Sequence, residues 1–171
     1  MSSLPALAAA EPLPREKVDR FDREVEAIVK RYPAERKAAA LLPVLRVAQE
    51  LFGHLSPEVQ RLAADRLGVS PARVDEVATF YVMFHTKKVG RHVVEMCTNV
   101  SCCLTGAEKI WGHLQKTLGV GPGETTAYGR FTLREVECLG SCGTAPAMLV
   151  DDEMHERLTV EKVDEILGRL S

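Results

Sequence analysis

The sequence predicts an α+β chain in two parts, an N-terminal helical bundle followed by a C-terminal α/β domain. Three observations predict it. Apolar residues recur at helical spacing through residues 16–84, and from Gly90 onward short runs rich in β-branched residues alternate with helical ones. Four cysteines fall in two pairs, Cys97 with Cys102 and Cys138 with Cys142, each pair directly after one of the short runs.

The chain has 171 residues, of which 46% are apolar and 27% charged, the balance of a globular protein with enough apolar side chains for a packed core. That length suits one ordinary domain or two small ones. A net charge of -2 argues against a nucleic-acid partner, which calls for a basic patch or stripe. Residues 1–14 read as a disordered lead-in. Their apolar stretch, Leu4 to Ala10, is broken by Pro5 and has no basic residue ahead of it, so it does not have the form of a secretory signal. No later segment approaches the ~20 apolar residues of a membrane span. These features predict a cytoplasmic protein, and a reducing compartment points clustered cysteines towards metal or redox chemistry rather than disulfides.

Residues 15–88 form the helical part. Val18, Phe21, Val25, Ile28 and Val29 lie on one face of an amphipathic helix over residues 16–31, closed by Pro33. Residues 34–52 are a second helical stretch, with Pro43 as a kink or restart and Gly53 as its stop. Ser56-Pro57 and Ser70-Pro71 each write a helix start, because serine caps free amides and proline at the first helical position forfeits no hydrogen bond. The helix from Pro71 is expected to run to about Phe84. Its aromatic run, Phe80, Tyr81, Met83 and Phe84, reads as core in preference to a docking surface.

Residues 89–171 form the second part and carry the acidic excess. Residues 91–96 read as a strand. Thr105 with Glu108 has the form of a capping box, opening a helix whose apolar face is Ile110, Trp111, Leu114 and Leu118. Residues 131–137 alternate as a second strand, residues 147–150 and 155–159 make a hairpin, and residues 160–170 close the chain as a helix. Two strands joined through a helix imply a parallel βαβ unit. Both cysteine pairs then lie at the carboxyl ends of neighbouring strands.

Four thiolates are soft donors that suit zinc or an iron–sulfur cluster. Structural zinc knuckles usually place two residues between paired cysteines, and neither pair here does. The wider pairs favour a [2Fe–2S] cluster, one pair to each iron, over zinc or free thiols. Gly140 and Gly143 allow backbone amides to approach the sulfurs, and the helix opening near Thr105 is expected to turn its amide end towards Cys102. Cys103, beside Cys102, is an alternative ligand. Adjacent side chains at a loop-to-helix junction do not both reach one iron comfortably, so Cys102 is preferred.

Cys97-x4-Cys102, then Glu137-Cys138-Leu139-Gly140-Ser141-Cys142 and Ala145-Pro146, resembles the thioredoxin-like [2Fe–2S] ferredoxins. The preceding module, with Leu41-Leu42-Pro43, Phe52-Gly53 and Ala78-Thr79-Phe80-Tyr81-Val82-Met83-Phe84, is similar to the ferredoxin-bearing subunit family of bacterial NADH:quinone oxidoreductase, respiratory complex I. The resemblance spans about residues 15–171. It implies a thioredoxin-like domain over residues 89–171 and one [2Fe–2S] cluster on Cys97, Cys102, Cys138 and Cys142. It further implies single-electron transfer from FMN on an NADH-oxidising partner subunit, in a peripheral assembly on the cytoplasmic side of a membrane complex. FMN and NADH belong to the partner alone. Cys103 departs from the family pattern, and Pro146 falls where thioredoxin folds have a cis proline. Within the resemblance the same type of chain also serves NAD-linked hydrogenases and formate dehydrogenases.

Two readings of another kind compete. A dithiol oxidoreductase needs Cys-x-x-Cys, which the chain lacks. A zinc-stapled adaptor uses the cysteines only for structure. His54, His85, His92, His113 and His155 are scattered and read as solvent-facing or packing residues, and Lys87, Lys88 and Arg91 as a solvated patch. No paired carboxylates, nucleophile with base, or phosphate-binding glycine loop is found in the sequence, so no substrate site is expected on this chain alone.

Overall fold

The computed structural model describes residues 12–170. Most of the lead-in expected over residues 1–14 therefore lies outside the described residues, although Leu13 already packs against the core. The chain divides into two compact units, Met1–Lys88 and Val89–Ser171.

The first unit is helical. Helix α1 (Arg15–Val29) buries Phe21, Val25 and Ile28, spaced four and three apart along one face. Residues 34–52 are not one helix. Ala34–Ala40 is a 3₁₀ segment broken at Arg36 (φ -122°, ψ 19°), and α2 (Leu41–Phe52) restarts after it. Pro43 is not the cause, since it sits in the first turn, where an amide has no helical partner to lose. Gly53, at φ 84°, takes the left-handed turn that ends α2. Helices α3 (Pro57–Leu67) and α4 (Pro71–Phe80) start as their Ser-Pro pairs dictate. Ser56 accepts from the Val59 amide at 3.4 Å and Ser70 from the Arg73 amide at 3.3 Å.

Helix α4 stops at Phe80 rather than Phe84 because Gln49 claims the next segment. Its side-chain amide donates to the Met83 carbonyl at 2.9 Å and its oxygen accepts from the His85 amide at 2.6 Å. Val44, Leu45, Leu55, Leu67 and Val74 are fully buried at the centre of this unit. Each such side chain contributes roughly 1.5–3 kcal/mol relative to exposure.

The second unit is a four-stranded sheet with helices. In order it contains β1 (His92–Cys97), α5 (Val100–Leu104), α6 (Ala107–Leu118), β2 (Phe131–Val136), β3 (Met148–Val150), β4 (Glu153–His155) and α7 (Val160–Arg169). The strand order is β2-β1-β3-β4, with β1 and β2 parallel and the other pairs antiparallel. Val94, Met96, Leu133, Met148 and Val150 of the sheet pack with Ile110 and Leu114 of α6 and Val163 and Ile166 of α7. Gly90 precedes β1 because the backbone crosses there without room for a side chain. A Cβ would meet the Phe131 carbonyl carbon at 2.9 Å.

Two sequence expectations fail in this unit. The return strand of the hairpin is Glu153–His155, not residues 155–159. Asp151 takes φ 54° and makes a two-residue turn, so pairing resumes directly after Asp152. The Thr105–Glu108 capping box does not form. α6 starts after Gly106 at φ 102° with no side-chain cap, and the Thr105 hydroxyl turns back to donate to the Ser101 and Cys102 carbonyls at 2.9 and 3.1 Å. Among the described residues no helix is long and apolar enough to cross a membrane.

Candidate metal centre

The parallel register sets Cys97, the last residue of β1, opposite Val136, the last residue of β2. Whatever follows each strand therefore emerges at the same end of the sheet. After β1 come Asn99, which accepts from the Val100 amide at 2.6 Å and opens α5, and then Cys102 inside that helix. After β2 comes the segment Cys138 to Cys142, leading into a 3₁₀ turn at Cys142–Thr144. The peptide bond Ala145-Pro146 that follows is cis.

Cys97 and Cys102 are buried, whereas Cys138 and Cys142 are exposed. The Cys97 thiol reaches the Glu137 carbonyl, at the root of the other loop, at 3.8 Å. On that loop the Gly140 amide donates to the Cys138 sulfur at 3.3 Å. Gly140 does so at φ 77°, a conformation that favours glycine. The helix expected to open near Thr105 opens after Gly106 instead. The amides of Thr105 and Gly106 donate to the Cys102 and Cys103 carbonyls, closing α5 instead of facing a thiol.

The Cys102 thiol is pushed up to about 11, chiefly by burial and next by its hydrogen bond with Cys97. The Ala147 backbone opposes the rise, while charge on Cys97 or Cys142 would add to it. Charge on a cysteine of either loop thus bears on Cys102. The Cys102 thiol in this state does not ionise alone at neutral pH. A cation entering with the ionisation reverses the balance, because a coordinating thiol is deprotonated by the metal.

The donor set fits an iron–sulfur cluster on this ground: soft sulfurs, two buried and two at the rim, with an amide already directed at one of them. Among the described residues no three His, Cys, Asp or Glu side chains are gathered around a single-ion position. A two-iron cluster takes its thiolates in pairs and does not require such a cage.

Cys103 does not share the pocket of its neighbour. Its thiol donates to the Thr98 carbonyl at 2.9 Å, across the turn that leads into α5. Two of the histidines have carboxylate partners away from the cysteines: His92 faces Asp151 at 2.8 Å and His113 faces Asp164 at 2.6 Å.

Two features escaped the sequence. Val100 and Leu104, flanking Cys102 on α5, are exposed, as is most of the aromatic run expected in the core. Phe80 is 75%, Val82 63% and Met83 43% exposed, and only Phe84 is buried. The second is Glu156, which accepts hydrogen bonds from the Ser141 and Thr144 hydroxyls on either side of Cys142. The only sequence signal for it is the pair of hydroxyl residues flanking the cysteine, with nothing to name their partner.

The model of the family described as thioredoxin-like [2Fe-2S] ferredoxin matches residues 25–171. An NADH-quinone oxidoreductase subunit of Rhizobium meliloti is 46% identical over 144 residues, covering 84% of each chain. NADH-quinone oxidoreductase subunit 2 of Thermus thermophilus is 40% identical over 147 residues, 85% of this chain and 81% of that one. In three dimensions a crystal structure of NAD+-reducing [NiFe]-hydrogenase aligns at a TM-score of 0.65 with 21% identity. That alignment covers 74% of this chain and 22% of the hydrogenase chain, and it bears on the fold alone.

Proposed function

The chain belongs to the thioredoxin-like [2Fe–2S] ferredoxin family, and from that premise we propose that it is the ferredoxin-type electron-transfer subunit of an NADH:quinone oxidoreductase. In this reading Cys97, Cys102, Cys138 and Cys142 hold one [2Fe–2S] cluster, and single electrons arrive from FMN on an NADH-binding partner subunit. The observation that carries it is the parallel pairing that ends at Cys97 and Val136, which delivers both thiol pairs to one end of the sheet.

Bound there, the cluster supplies one reversible electron-accepting centre. The chain supplies the rest. Burial of Cys97 and Cys102 keeps water from one side of the site, and the Gly140 amide directs a positive dipole at the Cys138 sulfur, favouring added negative charge. Cys138 and Cys142 stay at the surface, where an electron donor can approach. The exposed Val100 and Leu104 flanking Cys102 and, separately on the helical unit, Phe80, Val82 and Met83 are apolar surfaces suited to a partner subunit. The protein is then a peripheral, cytoplasmic member of its complex, a non-autonomous part of the enzyme.

Anaerobic purification at native expression tests the reading. A coloured protein with a reduced-state paramagnetic signal, recovered with an FMN-containing NADH-oxidising subunit, is the expected result. A colourless zinc protein recovered as a free monomer would overturn it. Copurification with a hydrogenase or formate dehydrogenase would retain the cluster and move the chain to that assembly.

A further inference from the structure

Residues 141–146, which contain Cys142, are tied to residues 156–158 by four hydrogen bonds. The Glu156 carboxylate accepts two of them, one from the Ser141 hydroxyl and one from the Thr144 hydroxyl at 2.6 Å. The Arg157 amide donates to the Thr144 carbonyl at 2.7 Å, and the Leu158 amide to the Pro146 carbonyl at 3.1 Å. Behind them the Lys162 ammonium donates to the Glu156 carbonyl at 2.6 Å and holds the residue in place.

A hydroxyl has one hydrogen to give. Ser141 sits between Cys138 and Cys142 in the chain, and Thr144 two residues beyond, so both hydroxyls are within local reach of the thiol loop. With their hydrogens committed to Glu156 they are not donors to sulfur. The Thr144 hydroxyl also approaches the Ser141 carbonyl at 3.3 Å, a longer contact on the same loop that likewise leaves the sulfurs without it. The two hydroxyls hold the Glu156 carboxyl below its ordinary value of 4.5, so it is charged at neutral pH.

Donors to cluster sulfurs stabilise the reduced, more negative state, and a fixed negative charge nearby disfavours it. Glu156 acts in the same direction on both counts. We infer that Glu156 is a positioning residue for the Cys138–Cys142 loop that holds the reduction potential of the cluster down, by engaging the Ser141 and Thr144 hydroxyls and by its own charge. This rests on the cluster reading above.

A redox titration of the complete, cluster-loaded protein followed by electron paramagnetic resonance tests it. Wild type must first show the reduced-state signal. Its absence would overturn the cluster reading itself, a failure separate from failure here. With the signal present, Glu156→Gln keeps size and an acceptor oxygen but loses the charge, and its midpoint potential rises. Glu156→Asp keeps the charge and brings the midpoint back towards wild type. A Glu156→Gln midpoint equal to wild type, even with faster bleaching, reduces Glu156 to a structural tie and overturns the inference. Should Glu156→Gln fail to load, Glu156→Thr, which also loses the charge and keeps an acceptor oxygen, takes its place with the same two outcomes. The Ser141→Ala and Thr144→Val variants test the hydroxyls: both leave the carboxylate in place and are expected to leave the midpoint where it is, whereas a fall would mean that the hydroxyls do donate to sulfur and that the inference is wrong.

Discussion

Cys103 points its thiol at the Thr98 carbonyl, 2.9 Å away, while the adjacent Cys102 is packed against Cys97. Two neighbouring cysteines on one turn of helix thus have different duties: one closes the turn and the other meets Cys97.

Serine at position 103 can donate to the same carbonyl. Cys103→Ser is therefore expected to retain the full complement of iron and sulfide and to change stability by no more than about 0.5 kcal/mol. Cys102→Ser is expected to lose the cluster. Iron and acid-labile sulfide analysis with visible absorption checks both, and bleaching by Cys103→Ser alone would reverse the assignment.

Removal of the cluster by a chelator is expected to lower the unfolding midpoint of residues 89–171, since metal binding and folding are linked there. Trp111 is the single tryptophan of the chain and packs on the core of that unit. Its fluorescence in a urea titration reports the loss directly. An unchanged midpoint after demetallation would separate the cysteines from stability.

Glu95 and Arg134 stand directly opposite on β1 and β2 and pair at 2.8 Å. Burial raises the Glu95 carboxyl above its ordinary value of 4.5, and Arg134 only partly opposes the rise. The folded chain then keeps this proton to higher pH than the unfolded chain. Its contribution to stability is whole below about 4.5 and is lost as pH rises through the folded value. Denaturation of wild type and Glu95→Gln at pH 5 and pH 8 is expected to show the difference moving in favour of the variant at the higher pH. Movement the other way would mean that the arginine outweighs burial.

Two substitutions probe packing in the separate units. Leu45→Ala empties a fully buried position in the helical unit and is expected to cost about 2–5 kcal/mol. Gly90→Ala forces a methyl group against the backbone of Phe131 and Arg130, with no flexible side chain to give way, and is expected to cost roughly 1–3 kcal/mol. Chemical denaturation measures each. A neutral Gly90→Ala would show that the strand pair can part at that point.

The sequence carried the fold wherever a local rule and the tertiary contacts agree. Ser56-Pro57 and Ser70-Pro71 start helices because cap and proline need no distant partner. β1 and β2 follow from β-branched runs and the length of the crossover. Local rules failed where a remote group intervened. Gln49 captures the segment after Phe80 and puts Phe80 and Met83 on the surface, a contact across thirty-odd positions that periodicity does not register. Thr105 misleads for the opposite reason. A capping box and a hydroxyl turned back onto the preceding helix are spelled alike, and the short helix holding Cys102 decides between them. In the candidate centre the cysteines declare themselves by spacing, but Glu156 does not, because only the chain's return after β4 brings it to Ser141.

The parallel pairing of β1 with β2 also sets a schedule for biosynthesis. Cys97 and Cys102 leave the ribosome first and wait, since a parallel neighbour cannot form until the whole crossover and β2 have followed. β3 arrives later still, and only then does the Ala147 carbonyl receive the Cys97 amide at 3.1 Å. At ordinary translation rates the interval is on the order of a few seconds. Throughout it a nascent chain offers iron two thiols instead of four. Cofactor insertion is therefore expected to wait until Cys138 and Cys142 have left the ribosome, and stalled chains long enough to expose them should retain more iron than chains that end before Cys138.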